Sequence, residues 1–213
     1  MKMNRCVIVG GAEIRGYNSL REYFSPDDFF IYCDCGLKHE RNLEHSPDLI
    51  IGDFDSHERP EDSKCEVIVL PVVKDDTDTI YAVKEAMKRG FDDFLMIGAV
   101  GGRMDHTMGN IYALLMLANH GKHAVILDDY SLMRIISAGE TAHIKYGCKF
   151  FSVINITGLA KGITIKNAKY NLEDSEITSE YQYGISNEVL SPECDAEVSL
   201  REGNLLLIII LPR

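Results

Sequence analysis

Positive charge is what this sequence is short of: 22 Lys and Arg face 33 Asp and Glu, a formal net charge of -11. Lys and Arg are also dispersed, so nothing replaces the counterions condensed on a nucleic-acid backbone, and a nucleic-acid binder of the backbone-tracking kind is excluded. Long apolar runs are missing as well. The longest, 205–211, falls far short of the roughly 20 residues of a membrane helix. The apolar patch near the start is interrupted by Glu13 and Arg15 before it reaches the length of a secretory signal. The expectation is a cytoplasmic protein with no membrane partner. Of six cysteines only Cys33 and Cys35 are close-spaced, and Cys-x-Cys without a second pair does not make a zinc site. All six read as reduced thiols, with Cys33 and Cys35 as packing residues. No Gly-Lys-Ser/Thr closes a P-loop, the six-residue dinucleotide fingerprint is incomplete, and Ser56 has no His-Asp partner pattern nearby. Internal repeats and low-complexity linkers are absent.

What remains is a chain of 213 residues, 46% hydrophobic, sufficient for one large domain or two small ones with real cores. Its first part alternates short β-type runs (6–9, 29–33, 49–51, 65–70, 93–97, 123–127) with helical stretches over 18–23, 79–89 and 107–120, the pattern of a parallel α/β sheet. Ile80, Val83, Ala86 and Met87 form one helical stripe stopped by Gly90; Ile111, Leu114, Leu115 and Ala118 form another closed by Gly121. Beyond Asp128-Asp129 the character changes to short β-type runs at 132–136, 140–145, 149–156, 163–166, 195–201 and 205–211, separated by turn residues. The spacing predicts a Rossmann-like α/β domain over 1–128 and an all-β sandwich over 129–213, with Arg201-Glu202-Gly203-Asn204 as a hairpin turn.

Acids collect where predicted strands end. Asp53 and Asp55 follow the run Leu49-Ile50-Ile51-Gly52; Asp75, Asp76 and Asp78 precede the 79–89 helix; Arg103 and Asp105 follow Gly101-Gly102 ahead of the 107–120 helix. Asp76 or Thr77 fits an N-cap, which accounts for part of the second group. In a parallel sheet the three junctions converge along the carboxyl edge, where open α/β folds bind ligands. Two readings stand for an Asp-x-Asp pair, a solvated loop or a divalent-cation site, since like charges aimed one way need solvent or a cation between them. Convergence of three acidic junctions favours the cation, and loop carboxylates around a nucleotide suit magnesium. Arg103 is placed to contact a phosphate or to pair with a surface acid, and His106 reads as a helix-start residue.

Ile51-Gly52-Asp53-Phe54-Asp55-Ser56, Lys74-Asp75-Asp76-Thr77-Asp78, Gly102-Arg103-Met104-Asp105-His106 with Asn110, and Tyr183-Gly184-Ile185-Ser186-Asn187-Glu188 together resemble the thiamine pyrophosphokinase family, in that family's order and over roughly residues 30 to 190. The resemblance implies a Rossmann-like domain followed by a thiamine-binding β-sandwich, in a homodimer with thiamine sites between subunits. It implies transfer of the pyrophosphoryl group of ATP to the thiamine hydroxyl, with Mg2+ as cofactor and AMP as product. It further implies Asp53, Asp55, Asp75 and Asp78 as the Mg-nucleotide cluster, leaving open which touch metal and which touch substrate. Asp105 is implied as a substrate or metal ligand that helps deprotonate the hydroxyl. Asp34, Gly101, Gly102, Arg103 and His106 are implied as nucleotide contacts, and Ser186 and Asn187 as thiamine contacts. The chain departs from the family at Asp34-Cys35-Gly36-Leu37, where Asp-Gly-Gly-Ala is frequent. Pyrophosphoryl transfer to another hydroxymethyl acceptor and a non-catalytic nucleotide- or thiamine-binding module are the competing readings. On the sequence alone, Asp53→Asn is expected to abolish turnover while leaving stability unchanged or higher, through relief of like-charge repulsion.

Overall fold

Four residues with almost no exposure, Cys6, Val7, Ile8 and Val9, form the first strand and the centre of a parallel sheet. The computed structural model describes residues 5–54 and 64–212 of the chain. It divides into two units, Met1–Asp129 and Tyr130–Arg213.

In the first unit, β1 (Cys6–Val9) leads through α1 (Tyr17–Arg21) to β2 (Phe29–Cys33), then through a 3-10 segment (Asp34–His39) and α2 (Glu40–Leu43) to β3 (Leu49–Gly52) and β4 (Glu66–Val69). From there α3 (Asp78–Lys88) leads to β5 (Asp93–Ile97), and α4 (Met104–Asn119) to β6 (His123–Leu127). The six strands pair in parallel in the order β4-β3-β2-β1-β5-β6. β1, β2, β3 and β5 read as continuous apolar runs because they are interior strands covered on both faces, whereas edge strand β4 exposes Glu66 and Val69. The order runs outward from β1 to one side, then α3 carries the chain back so that β5 pairs with the other side of β1. Loops leaving β1 and β5 therefore part in opposite directions, which opens a cleft at their carboxyl ends. The strand ends themselves touch: Gly10 N donates to Ile97 O at 2.8 Å and Ala12 N to Gly98 O at 2.9 Å. A Cβ on Gly10 would meet Gly98 O at 2.5 Å, so this Gly-Gly pair answers a close approach of two backbones rather than a turn.

Both long helices bury a face rotated from the one their apolar stripes predict. In α3 the buried residues are Ala82, Val83 and Ala86. In α4 they are Thr107, Asn110, Ala113, Leu114 and Leu117, and the helix starts at Met104, a turn ahead of the expected Thr107. Two polar residues thus take core positions in α4, because their side chains serve the loop before it. Thr77 is the N-cap of α3, accepting from Ile80 N at 3.3 Å.

The second unit consists of β7 (Ser131–Ser137), β8 (Thr141–Ile144), β9 (Phe150–Asn155), β10 (Leu159–Lys166), β11 (Leu172–Thr178), β12 (Ala196–Ser199) and β13 (Asn204–Ile210). β13 lies antiparallel between β7 and β9, and β11-β10-β12-β8 form a separate antiparallel sheet. Ile136, Phe151, Val153, Leu205 and Leu207 from the first group share one buried core with Ile144, Ile163, Ile165, Ile177 and Val198 from the second. Alternation is the cause: β8 buries every second residue and β12 does the same, so each turns one apolar face inward.

Two expectations need correction here. β11 lacks an apolar pattern in its sequence, Leu-Glu-Asp-Ser-Glu-Ile-Thr, and only Ile177 is buried; it forms because β10 offers a partner, across a ladder broken by register shifts on both sides of Ile163. The segment 201–204 is not a hairpin turn. β12 and β13 belong to different sheets, and the chain crosses between them while Lys161 N donates to Glu202 O at 3.0 Å and Arg201 N to Lys161 O at 3.0 Å. The six cysteines are free thiols, and burial pushes those of Cys6 and Cys33 upward in pKa.

Candidate active site

The cleft at the β1/β5 reversal has a volume of about 460 Å³ and is lined by Gly11, Asp34, Cys35, Asp78, Gly101 and His106, among others. Asp34 is the first residue past β2 and only 5% exposed. It fits beside β3 because residue 52 is glycine: a Cβ there would meet the Asp34 Cβ at 2.8 Å. Asp53 is the first residue past β3, and Asp78 opens α3 directly after its N-cap. One carboxylate oxygen from each of Asp34, Asp53 and Asp78 lies within 4.8 Å of the others. Asp34 Oδ1 and Asp78 Oδ1 are buried with no hydrogen-bond partner among the described residues. Buried oxygens left this way are costly unless a further group satisfies them. A hard cation with oxygen ligands is such a group, and the donor set of three carboxylates suits magnesium.

Lys74 enters the same cluster. Its ammonium donates to Asp53 Oδ2 and stands 3.1 Å from Asp78 Oδ1, an ion pair without hydrogen-bond alignment. Burial raises the pKa of Asp78; the Asp53 and Asp34 carboxylates add to the rise and Lys74 opposes it. Burial works against the charge on Lys74, but the two carboxylates outweigh it and its pKa is raised. Lys74 thus sets a positive charge against the acids around Asp53, while Asp55, the other member of the Asp-x-Asp pair, lies outside the described residues.

The remaining acids fall elsewhere. Asp75 is exposed and outside the three-carboxylate group, because the N-cap at Thr77 turns Asp78 inward and leaves Asp75 on the preceding loop. Asp76 pairs with Lys84. Asp55 and Ser56 lie outside the described residues. Arg103, Gly101, Gly102 and His106 line the cleft. Arg103 and Asp105 form a bidentate pair, Nε to Oδ1 at 3.0 Å and Nη2 to Oδ2 at 2.6 Å, and both are exposed. That guanidinium holds the Asp105 carboxyl well below the usual carboxylate range.

Three residues hold the walls of the cleft through hydrogen bonds to its backbone. Thr107 Oγ1 accepts from Gly101 N at 3.1 Å, and Asn110 Nδ2 donates to Ala99 O at 2.7 Å, which pins the loop between β5 and α4. His39, almost fully buried, lies 2.8 Å from Ala12 O through Nε2 and 2.8 Å from the Tyr17 hydroxyl through Nδ1. Since Ala12 O can only accept, Nε2 carries the proton and the hydroxyl donates to Nδ1. Burial lowers the His39 pKa, against the Ala12 bond, which raises it. Sequence reasoning passed over His39 and Lys74; the available signal for Lys74 was that clustered carboxylates require an opposing charge. The departure at Cys35 is accommodated by Gly11, where a Cβ would meet the Cys35 Cβ at 2.5 Å.

Ser186 and Asn187 belong to the second unit. Ser186 is exposed at a φ of 61°, and its N donates to Ser152 Oγ at 3.0 Å. Asn187 is 4% exposed. Its Oδ1 accepts from Tyr170 N at 3.0 Å and Glu188 N at 2.9 Å, and its Nδ2 donates to Tyr170 O at 2.7 Å. The amide of Asn187 thus ties two segments of backbone together, while Ser186 is exposed at the surface.

Comparison with known proteins agrees with both units. Residues 20–126 match the family model of the thiamin pyrophosphokinase catalytic domain, and residues 141–205 that of the thiamin pyrophosphokinase vitamin B1 binding domain. Thiamine pyrophosphokinase of Bacillus subtilis (strain 168) is 28% identical over 207 residues, covering 94% of this chain and 96% of that one. The crystal structure of thiamine pyrophosphokinase from Bacillus subtilis shares the fold, with a TM-score of 0.86 at 23% identity over 99% of this chain and all of that one. That of thiamin pyrophosphokinase from Geobacillus thermodenitrificans superposes with a TM-score of 0.82 at 26% identity, covering 98% of each chain. With a catalytic-domain match over half its length and a vitamin B1 binding match behind it, the chain belongs to the thiamin pyrophosphokinase family.

Proposed function

We propose that this chain transfers the pyrophosphoryl group of ATP to the hydroxyl of thiamine, giving thiamine diphosphate and AMP, with Mg2+ held by Asp34, Asp53 and Asp78. The observation that carries the metal reading is the buried Asp34 Oδ1, without a hydrogen-bond partner among the described residues, inside a three-carboxylate group at the cleft. When bound there, Mg2+ supplies charge neutralisation to the phosphates. The chain itself supplies position. The Gly101-Gly102 loop, pinned by Thr107 and Asn110, offers backbone at the start of α4, a natural place for phosphate oxygens. Arg103 brings a cation to the same rim for the charge that spreads over phosphoryl oxygens during transfer. Asp105, paired with Arg103 at the rim, aims that guanidinium and so acts as a positioning residue. An acidic chain suits thiamine, whose thiazolium is positive.

The finer architecture belongs to the same reading: a Rossmann-like unit followed by a β-sandwich, working as a cytoplasmic homodimer with thiamine bound between subunits by Ser186. Among the described residues no helix is long and apolar enough to cross a membrane. Product analysis tests the function: purified protein with ATP, Mg2+ and thiamine is expected to yield AMP and thiamine diphosphate in equal amounts. ADP with thiamine monophosphate, or no product at all, would refute it.

A further inference from the structure

Lys74 is mostly buried at the point where three carboxylates meet. Its ammonium is bonded to Asp53 Oδ2, lies 3.1 Å from Asp78 Oδ1, and leaves Asp34 Oδ1 unpartnered. A divalent ion held by these acids takes oxygens at about 2.1 Å, so it would stand within a few ångströms of the ammonium. Two positive charges that close in a partly buried site repel strongly. We infer that Lys74 is a built-in counter-cation of the triad, and that a divalent ion binds by displacing it. The inference rests on the reading of Asp34, Asp53 and Asp78 as the metal site.

The geometry gives the ammonium a way out. Lys74 lies on the connection between β4 and α3, where Val72, Val73 and Asp75 are exposed, so its side chain can swing outward without opening a core. The device has a functional consequence. Lys74 holds the acids together before loading, and it keeps the affinity for a free ion below what three converging carboxylates alone would give. Nucleotide phosphates then bring both further oxygen ligands for the ion and negative charge for the released ammonium, which couples metal loading to nucleotide arrival.

Mn2+ titration followed by the electron paramagnetic resonance of the free ion, without nucleotide and at fixed pH, tests this on the whole chain. Lys74→Gln is expected to bind Mn2+ at least roughly tenfold more tightly than the natural protein, whereas Lys74→Arg, which keeps the charge, stays close to it. Equal or weaker binding by Lys74→Gln overturns the inference alone. No binding by either protein overturns it together with the metal-site reading. Should Lys74→Gln fail to fold, the side-chain NH3+ resonance of Lys74 in the natural protein decides. A shift or exchange broadening on saturation with Mg2+ supports displacement, and an unmoved resonance overturns it.

Discussion

Two ion pairs flank the same cleft, and solvent separates their roles. Lys74 with Asp53 and Asp78 is 15%, 10% and 22% exposed at the side chains; Arg103 with Asp105 is 72% and 64% exposed. The inner group costs desolvation, leaves Asp34 Oδ1 without a hydrogen-bond partner among the described residues and raises the pKa of Asp78, features that fit the proposed metal site better than a contribution to stability. The outer pair is screened by water and free to change partner when a phosphate arrives. In the proposed function, identical chemistry, carboxylate and cation, serves as a socket in one place and as a movable arm in the other.

Mutation can break that contrast. Asp53→Asn removes one wall of the inner socket and is expected to lower AMP formation by about 10³-fold or more. Calorimetry should show no rise in melting temperature, because Lys74 already offsets the repulsion. Gly98→Ala attacks the frame beneath both pairs: the residue sits at a φ of 57° and its added Cβ would press on Gly10 O. A loss of about 1–3 kcal/mol in urea unfolding is expected, with nucleotide binding weakened in parallel.

A third variant sharpens the comparison through pH. With its pKa lowered by burial, His39 binds fewer protons folded than unfolded, so its contribution to stability is present above the ordinary value of 6.5 and is lost as pH falls through the lower folded value. The melting temperature of the natural protein should therefore fall more steeply from pH 7 to 5 than that of His39→Gln. The smallest effect on the fold belongs to the outer arm. Arg103→Ala should leave the melting temperature unchanged and raise the KM for ATP; a shifted melting temperature with unaltered kinetics would make Arg103 a structural residue.

Much of the first unit was legible in sequence because interior parallel strands are continuous apolar runs, and β2, β5 and β6 fall on the expected residues. Less of the second unit could be read. β11 has too few apolar residues to announce itself, and the segment 201–204 looks like any Gly-Asn turn until its two strands are seen to lie in different sheets. The site divides the same way. The acids at strand ends were visible, but Asp34 joins Asp53 and Asp78 while Asp75 stays outside, a choice made by the Thr77 cap and by the space left at Gly52. Asn187 stood out as a polar motif residue, yet its amide is engaged by the backbone of Tyr170 and Glu188.

By itself the sequence determined the parallel α/β pattern, the change to β structure near residue 129, and the gathering of acids at strand ends, since these follow from apolar periodicity and local turn chemistry. Only the tertiary structure decided which carboxylates meet, that Lys74 stands among them, and which polar residues are buried to hold loops in place. Those outcomes depend on distances between residues far apart in the chain, and a one-dimensional pattern carries no information about whether two strand ends leave room for a third side chain.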